Sequence, residues 1–485
     1  MADRYDIIAV GSSFASTFFL YESLKHLPAG ARVLVLERGP LVTHAQRIRE
    51  RRKPPDQRRS LYPTGDELFV NDAAIDKRWD VAAVFGGNSL VWSGCAPRML
   101  PEDFELNTRY GVGADWPLGY ADLEPFYLES EQVMGVAGPS DDSPVQRSGP
   151  YPFPPHRFSD PERALKKAFA DRFFALPSTR PTRPTPSGRP VCCGAGVCYL
   201  CPVDSKFTII NGMMPVFDDP RVTRITGANV RHVDIEASRA TGVTYRSDGA
   251  DRQVRGDLVV LGAGAIINPY LLLRSGLDDA PTGWGLVEQA GVEVSVDLDG
   301  MDNFQGTSMI TGHGYNFYAG AHRSERAGAL IETFSIPWLR DQRGKWRQRM
   351  RIKFVFEDHR QDDNRVVIDP DDPAKPRAVF KQRSAHTRLA IDRMDDWVQA
   401  FLAPLPVEGY RIADYVHGSE GHILGTTVMG TDPATSVVDE HMVHHRVRNL
   451  VVAGCGAFPT SAPANPTLTL CALSLCSARK LMGHG

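Results

Sequence analysis

The first forty residues restrict the fold more than any other stretch. They read as an apolar strand, YDIIAVG, a helix-spaced run, GSSFASTFFLYESLKHL, and a second apolar strand, ARVLVLERG. Strands this apolar, joined through a helix, belong to a parallel sheet covered on both faces. Two further strands of the same kind follow much later, DLVVLGAGAI running into INPYLLLRSG, and NLVVAGCGAF. Buried strands that end in glycine turns and stand far apart predict one α/β nucleotide-binding domain, Rossmann-like and discontinuous, built from 1–300 and 425–485. Residues 300–425 hold alternating segments such as RIKFVFED and read as a second domain that binds substrate. The stretch PSTRPTRPTPSGRP, 177–190, has the proline and polar content of a linker, and with the cysteines after it forms an insertion over 177–210.

Charge excludes some partners. Lys and Arg total 55 against 58 Asp and Glu, a formal charge of -3, so no field draws the chain to nucleic acid or to an anionic membrane. No apolar run reaches the length of a membrane span, and MADRYDIIAVG has no basic leader. The expectation is a cytoplasmic protein, periplasmic only if a partner subunit carries it out.

Gly11, Ser13 and Ser16 occupy the three positions of a G-x-G-x-x-G turn, and Glu37 closes the next strand. The glycine permits the turn, the helix N-terminus offers N–H groups to a pyrophosphate, and the carboxylate can accept from a ribose. Two of the three glycines are serines, and serine at the second position is expected to crowd a diphosphate.

Four more blocks accompany this turn: VFGGNSLVWSGCAPR at 84–98, DWPLGYADLEPFYLESEQVMGV at 115–136, LGAGAIINPYLLLRSG at 261–276, and HILGTTVMGTDPATSVVD followed by NLVVAGCGAFPTSAPANPTLTLCALSL within 422–475. In order and over nearly the whole chain they resemble the glucose-methanol-choline family of FAD-dependent oxidoreductases. The resemblance implies an FAD domain of scattered segments and a substrate domain with an antiparallel sheet above the flavin. It places Gly11, Ser13, Ser16 and Glu37 on the ADP-binding turn, and Gly86, Gly87, Asn88 and Ser89 on a loop beside the flavin. Val230 falls beside the adenine and Ala263 on the second glycine-rich turn. Gly454 stands where many members carry an acidic residue that contacts FAD. Val91 stands where pyranose oxidase-like members carry a flavin-bonded histidine, so the resemblance implies non-covalent FAD.

The resemblance also supplies the chemistry. His422, in GHILGTT, matches the active-site histidine, and Asn465, in PANPTLT, the second active-site residue. A histidine can take the hydroxyl proton near neutral pH while hydride leaves for the flavin. Asn465-Pro466-Thr467 before an apolar run reads as a helix start, with Asn465 as cap, Pro466 at the first helical position, and the positive helix end at the active site. His417 is the rival base. His441, His444 and His445 have loose metal-like spacing but read as surface histidines.

The segment CCGAGVCYLCPVDSKF, 192–207, holds four of the eight cysteines. It resembles the segment in catalytic subunits of bacterial FAD-dependent glucose and fructose dehydrogenases in which three cysteines hold a 3Fe-4S cluster. The resemblance would make Cys192, Cys198 and Cys201 ligands, with Cys193 an alternative to Cys192, and would imply a small subunit and a cytochrome as partners. The CYLC spacing is one residue shorter than in those dehydrogenases, so a redox disulfide or a zinc site also stands open. The function expected is dehydrogenation of a sugar or glycoside hydroxyl. The alternatives are an oxidase that uses O2, a flavin-containing lyase, and a relic without catalysis.

Overall fold

The computed structural model describes residues 4–278, 281–304, 308–336 and 338–483. The strand Arg4–Val10 pairs in parallel with Val33–Glu37 on one side and with the second half of Ala250–Leu261 on the other. Val222–Thr226 extends the sheet beyond Val33–Glu37, and Leu450–Val452 runs parallel to Val259–Leu261. The first half of Ala250–Leu261 turns outward into an antiparallel meander with Arg239–Ser247 and Asn229–Glu236. Ile7, Ile8, Ala9, Val33, Leu34, Val35 and Leu36 are buried almost completely, as a parallel sheet covered on both faces requires. The helices Phe14–His26, Tyr120–Met134 and Thr467–Met482 pack together over this sheet.

The second sheet has six antiparallel strands in the order Val407–Ile412, Ala290–Leu298, Arg349–Phe356, Ala329–Phe334, Ile310–Phe317 and Phe173–Ala175. Side chains alternate between its faces. Met350, Ile352, Phe354 and Phe356 pack toward Trp397 and Phe401 of the helix Met394–Leu402, while Arg351 and Lys353 face the other way, into a cavity. A third sheet joins Arg365–Ile368 and Pro376–Phe380 to Val70–Ala73.

Three expectations are corrected. The second sheet is not confined to 300–425, because Phe173–Ala175 and Ala290–Leu298 both belong to it; antiparallel register with distant strands decides this, and no local pattern carries that information. The stretch 177–190 is not a free linker. Ser178, Thr179 and Arg180 are fully buried, and Arg189 donates to the carbonyls of Met134, Thr179 and Ser205, so its polar residues serve interior backbone groups. His444 is no surface histidine: it is buried, and its Nδ1 accepts from the backbone N–H groups of Arg446 and Val447.

Candidate active site

A cavity of about 890 Å³ lies between the two main sheets. Its walls include Gly11, Ser13, Glu37, Gly87, Asn88, Val91, Val230, Ala263, His422, Gly454, Asn465, Pro466 and Thr467, so segments spread over the chain meet at one place. A cleft of this size holds a cofactor-sized ligand.

At one end the altered glycine turn is compensated from across the fold. Gly11 has φ +90, and a Cβ there would stand 2.8 Å from the Gly262 carbonyl oxygen. Ser13 occupies the space that a side chain on Gly87 would need, with 2.6 Å between the Ser13 Cβ and the position of that missing Cβ. Ser16 likewise fills the space opposite Gly262, where an added Cβ would lie 1.9 Å from its Oγ. Both serines therefore face glycines, and the close approach that the motif needs is kept. The helix Phe14–His26 begins without a side-chain cap, which leaves its first N–H groups for an anion.

Glu37 is buried and accepts from Ser12 N, Ser12 Oγ and Gly39 N. Ser12 Oγ in turn accepts from Gly86 N, so one hydroxyl ties the carboxylate to the second loop. Ser16, Gly86 and Ser89 stand behind the wall rather than on it. Ser89 Oγ donates to the Gly86 carbonyl and accepts from Ile209 N, which fixes the loop from behind.

The helix expected after Asn465 begins one residue later, at Thr467, with Pro466 in the cap position and no side-chain cap. Asn465 is thus not a cap. It is buried, its Nδ2 reaches Glu332 Oε1 at 3.4 Å, and its Oδ1 has no partner among the described residues. The uncapped helix end still opens toward the cavity.

His422 sits where two neighbouring residues fix its geometry. Its backbone N–H donates to Glu288 Oε1 at 2.7 Å, and its Nδ1 is hydrogen-bonded to Gln289 Oε1. Gln289 Nε2 donates to the carbonyls of Ala462 and Ala464, which fixes Oε1 as the acceptor. His422 Nδ1 must then carry the proton, and Nε2 keeps the lone pair. Burial pushes the His422 pKa below the ordinary imidazole value, so the ring is neutral at pH 7. His417 differs. Its Nε2 meets Glu293 and its Nδ1 meets Glu420, each at 3.1 Å, and these bonds raise its pKa to about 9.

Sequence reasoning missed the charged wall beside these histidines. Lys353 bridges Glu332 at 3.0 Å and Glu420 at 2.7 Å, and Arg351 meets Glu293 at 3.2 Å. Behind it the buried pair Lys77–Glu288 holds the loop 417–422, since Glu288 Oε1 also accepts from Ser419 Oγ and Glu420 N. Only the alternation in RIKFVFED signals that Lys353 faces away from the apolar core.

The cysteine segment borders the same cavity through Tyr199, and Cys95, from the loop 84–98, lines it as well. Cys198 and Cys201 are buried, Cys192 is half-buried and Cys193 exposed, and no disulfide joins any of the eight. Among the described residues Cys192, Cys198 and Cys201 do not converge to within 4.8 Å, the spacing at which one ion could take all three.

A parallel sheet with a glycine-cradled anion site, joined to a polar antiparallel sheet that presents a neutral histidine, defines a dinucleotide-dependent oxidoreductase. The chain belongs to the GMC oxidoreductase family: residues 181–292 match its N-terminal model and 355–474 its C-terminal model. It is a flavoprotein that uses FAD and an enzyme that oxidises CH–OH substrates. The fructose dehydrogenase large subunit of Gluconobacter japonicus is 26% identical over 98% of this chain and 97% of its own length. The 2-methyl-1,2-propanediol dehydrogenase of Mycolicibacterium austroafricanum is 26% identical over 98% of this chain and 94% of its own. The solved structure of pyridoxine 4-oxidase from Mesorbium loti shares the fold, with TM-score 0.70 and 17% identity over 99% of this chain and 100% of that one. Among the described residues no helix is long and apolar enough to cross a membrane.

Proposed function

We propose that this chain is an FAD-dependent dehydrogenase that oxidises a hydroxyl of a sugar or glycoside, with His422 as the base. The observation that carries the reading is the Gln289–His422 bond, which leaves a neutral ring with its Nε2 lone pair available. FAD, when bound, supplies the hydride acceptor. His422 Nε2 takes the hydroxyl proton as the carbonyl forms, and Asn465 offers Oδ1 and its second N–H to the substrate oxygens. His417 is a poor base because both its nitrogens are engaged and it is protonated at neutral pH. The wall of Glu332, Lys353, Glu420, Glu293 and Arg351 supports a substrate with many hydroxyls, since it alternates donors and acceptors along the cavity.

The cysteines support a route for electrons to leave. Arg180 and Lys206 are buried completely, and among the described residues neither pairs with a carboxylate. The cysteine side chains of Cys198, Cys95 and Cys192 are the groups that favour the charge on Arg180, and Cys198 and Cys201 those that favour it on Lys206. A buried guanidinium without counter-charge is costly, and burial pushes the Lys206 pKa well below its usual value; an anionic iron-sulfur cluster held by Cys192, Cys198 and Cys201 would balance Arg180 and favour the protonated Lys206. Such a cluster supplies one-electron transfer to a carrier, which fits a small subunit and a cytochrome as partners.

The test is anaerobic flavin bleaching with a panel of sugars, glycosides and small diols, for wild type and His422→Ala. The reading expects bleaching by a sugar and a loss of about 100-fold or more in the variant. Bleaching by small diols alone would overturn the substrate, and an unchanged rate in His422→Ala would overturn the base. Visible and EPR spectra of protein purified without air decide the cluster, and rapid peroxide formation under air would make oxygen the acceptor.

A further inference from the structure

A second cluster of ligating side chains lies away from the catalytic cavity. The strand Arg349–Phe356 leads into Glu357, Asp358 and His359, and the helix Ala385–Asp392 brings His386 against them. One ligating atom from each of Glu357, His359 and His386 lies within 4.8 Å of the other two. The two imidazole rings stand 4.7 Å apart, centroid to centroid. None of the three lines the catalytic cavity.

Three ring nitrogens here are closed to solvent and have no hydrogen-bond partner among the described residues: Nδ1 and Nε2 of His359, and Nε2 of His386. A buried polar group left unpaired costs about 1–3 kcal/mol, so this geometry asks for a ligand. The other nitrogen of His386 bonds to the Arg323 backbone. An imidazole held that way presents its Nε2 lone pair in a fixed direction, as metal-bound histidines do.

The charges point the same way. Asp103, Glu357 and Asp358 are all fully buried. Arg323, also fully buried, pairs with Asp103 and Glu357, and Arg383 lies near Asp358. Three carboxylates against two guanidinium groups leave an excess of negative charge that a cation would offset. Glu357 Oε1 accepts from Arg323 Nε and Gly328 N, whereas Oε2 accepts only from Arg323 Nη2 and so keeps a lone pair for a ligand bond.

We propose that Glu357, His359 and His386 bind a divalent transition-metal ion, with Zn²⁺ the expected occupant. Two imidazoles and one carboxylate form a donor set suited to zinc, with water in the fourth position. The ion is structural rather than catalytic. It ties the end of the second sheet to the helix Ala385–Asp392, beside the turn at Gly113, whose Cβ position lies 3.6 Å from His359 Nδ1.

The test uses FAD-loaded enzyme in a Cys192→Ser, Cys198→Ser, Cys201→Ser background, which removes thiolate competition. After chelator treatment and dialysis the protein is titrated with Zn²⁺ alone, by calorimetry and by metal analysis. The expected result is one equivalent per chain and a higher Tm. His359→Asn and His386→Asn, each checked for retained flavin absorption, should each weaken binding by about 100-fold or more. Glu357 is left intact because it also holds Arg323. Absence of stoichiometric zinc in folded enzyme, or binding that survives both histidine substitutions, would overturn the proposal and assign the cluster to buried water.

Discussion

Gln289→Leu tests how the base is set. Gln289 is the acceptor that keeps the His422 proton on Nδ1, and its own amide is anchored by Ala462 and Ala464. Leucine is of similar volume and offers no acceptor. The buried Nδ1–H then loses its partner, which costs about 1–3 kcal/mol and favours rotation of the ring or the other tautomer. At 1.36 kcal/mol per factor of ten, the limiting rate of flavin reduction should fall by about 5- to 150-fold. The assay is anaerobic stopped-flow reduction at several substrate concentrations and pH values, with FAD retention checked by absorbance. Substrate affinity should change little, because Gln289 does not line the cavity. An unchanged limiting rate, or a loss confined to substrate binding, would refute the argument that Gln289 positions the base.

Other expectations follow from the same geometry. Because a base works when neutral and burial lowers the His422 pKa, the rate of flavin reduction should rise with pH through a value below 6.5; a limb above 6.5 in the pH profile would contradict this. His417, raised from 6.5 to about 9 by Glu293 and Glu420, should stabilise the fold fully below pH 6.5 and lose that contribution as pH rises through about 9. Melting curves across that window should flatten in His417→Asn. Ser12→Ala removes a hydrogen bond to the buried Glu37 carboxylate and leaves Gly86 N unpaired, so FAD should bind about 10- to 100-fold more weakly, as read by release of flavin fluorescence. Gly262→Ala puts a Cβ 1.9 Å from Ser16 Oγ and should yield protein without FAD, with partial recovery when Ser16→Gly is added.

Local signals in the sequence reach only part of this structure. The opening strand, its glycine turn and the helix after it are written in adjacent residues, and so is the start of Thr467–Met482 to within one position. His422 and Asn465 were found through their blocks, and both lie on one cavity. The partners that fix them were not, because Gln289 is remote from His422 in the chain and Glu332 from Asn465. The same limit hid the room made for Ser13 by Gly87 and for Ser16 by Gly262. A serine where glycine is expected looks like damage until the opposing backbone is seen. Buried Arg180 and Arg189 were read as linker for a related reason: composition reports polarity and cannot report where a guanidinium finds its carbonyls.

The central pairing of Arg4–Val10 with Ala250–Leu261, itself flanked by Leu450–Val452, has a consequence for synthesis. The first strand emerges from the ribosome long before either companion exists. At translation rates of about 5–20 residues per second, roughly 20 to 90 seconds separate residue 15 from residue 470, both of which border the cavity. Until residue 262 is made, Phe18, Phe19 and Leu20 can cover only the pair Arg4–Val10 and Val33–Glu37, and Ser16 lacks its facing glycine. FAD therefore cannot template the early stages; it arrives at a nearly finished protein. Flavin supply should therefore govern the yield of mature enzyme rather than its rate of collapse.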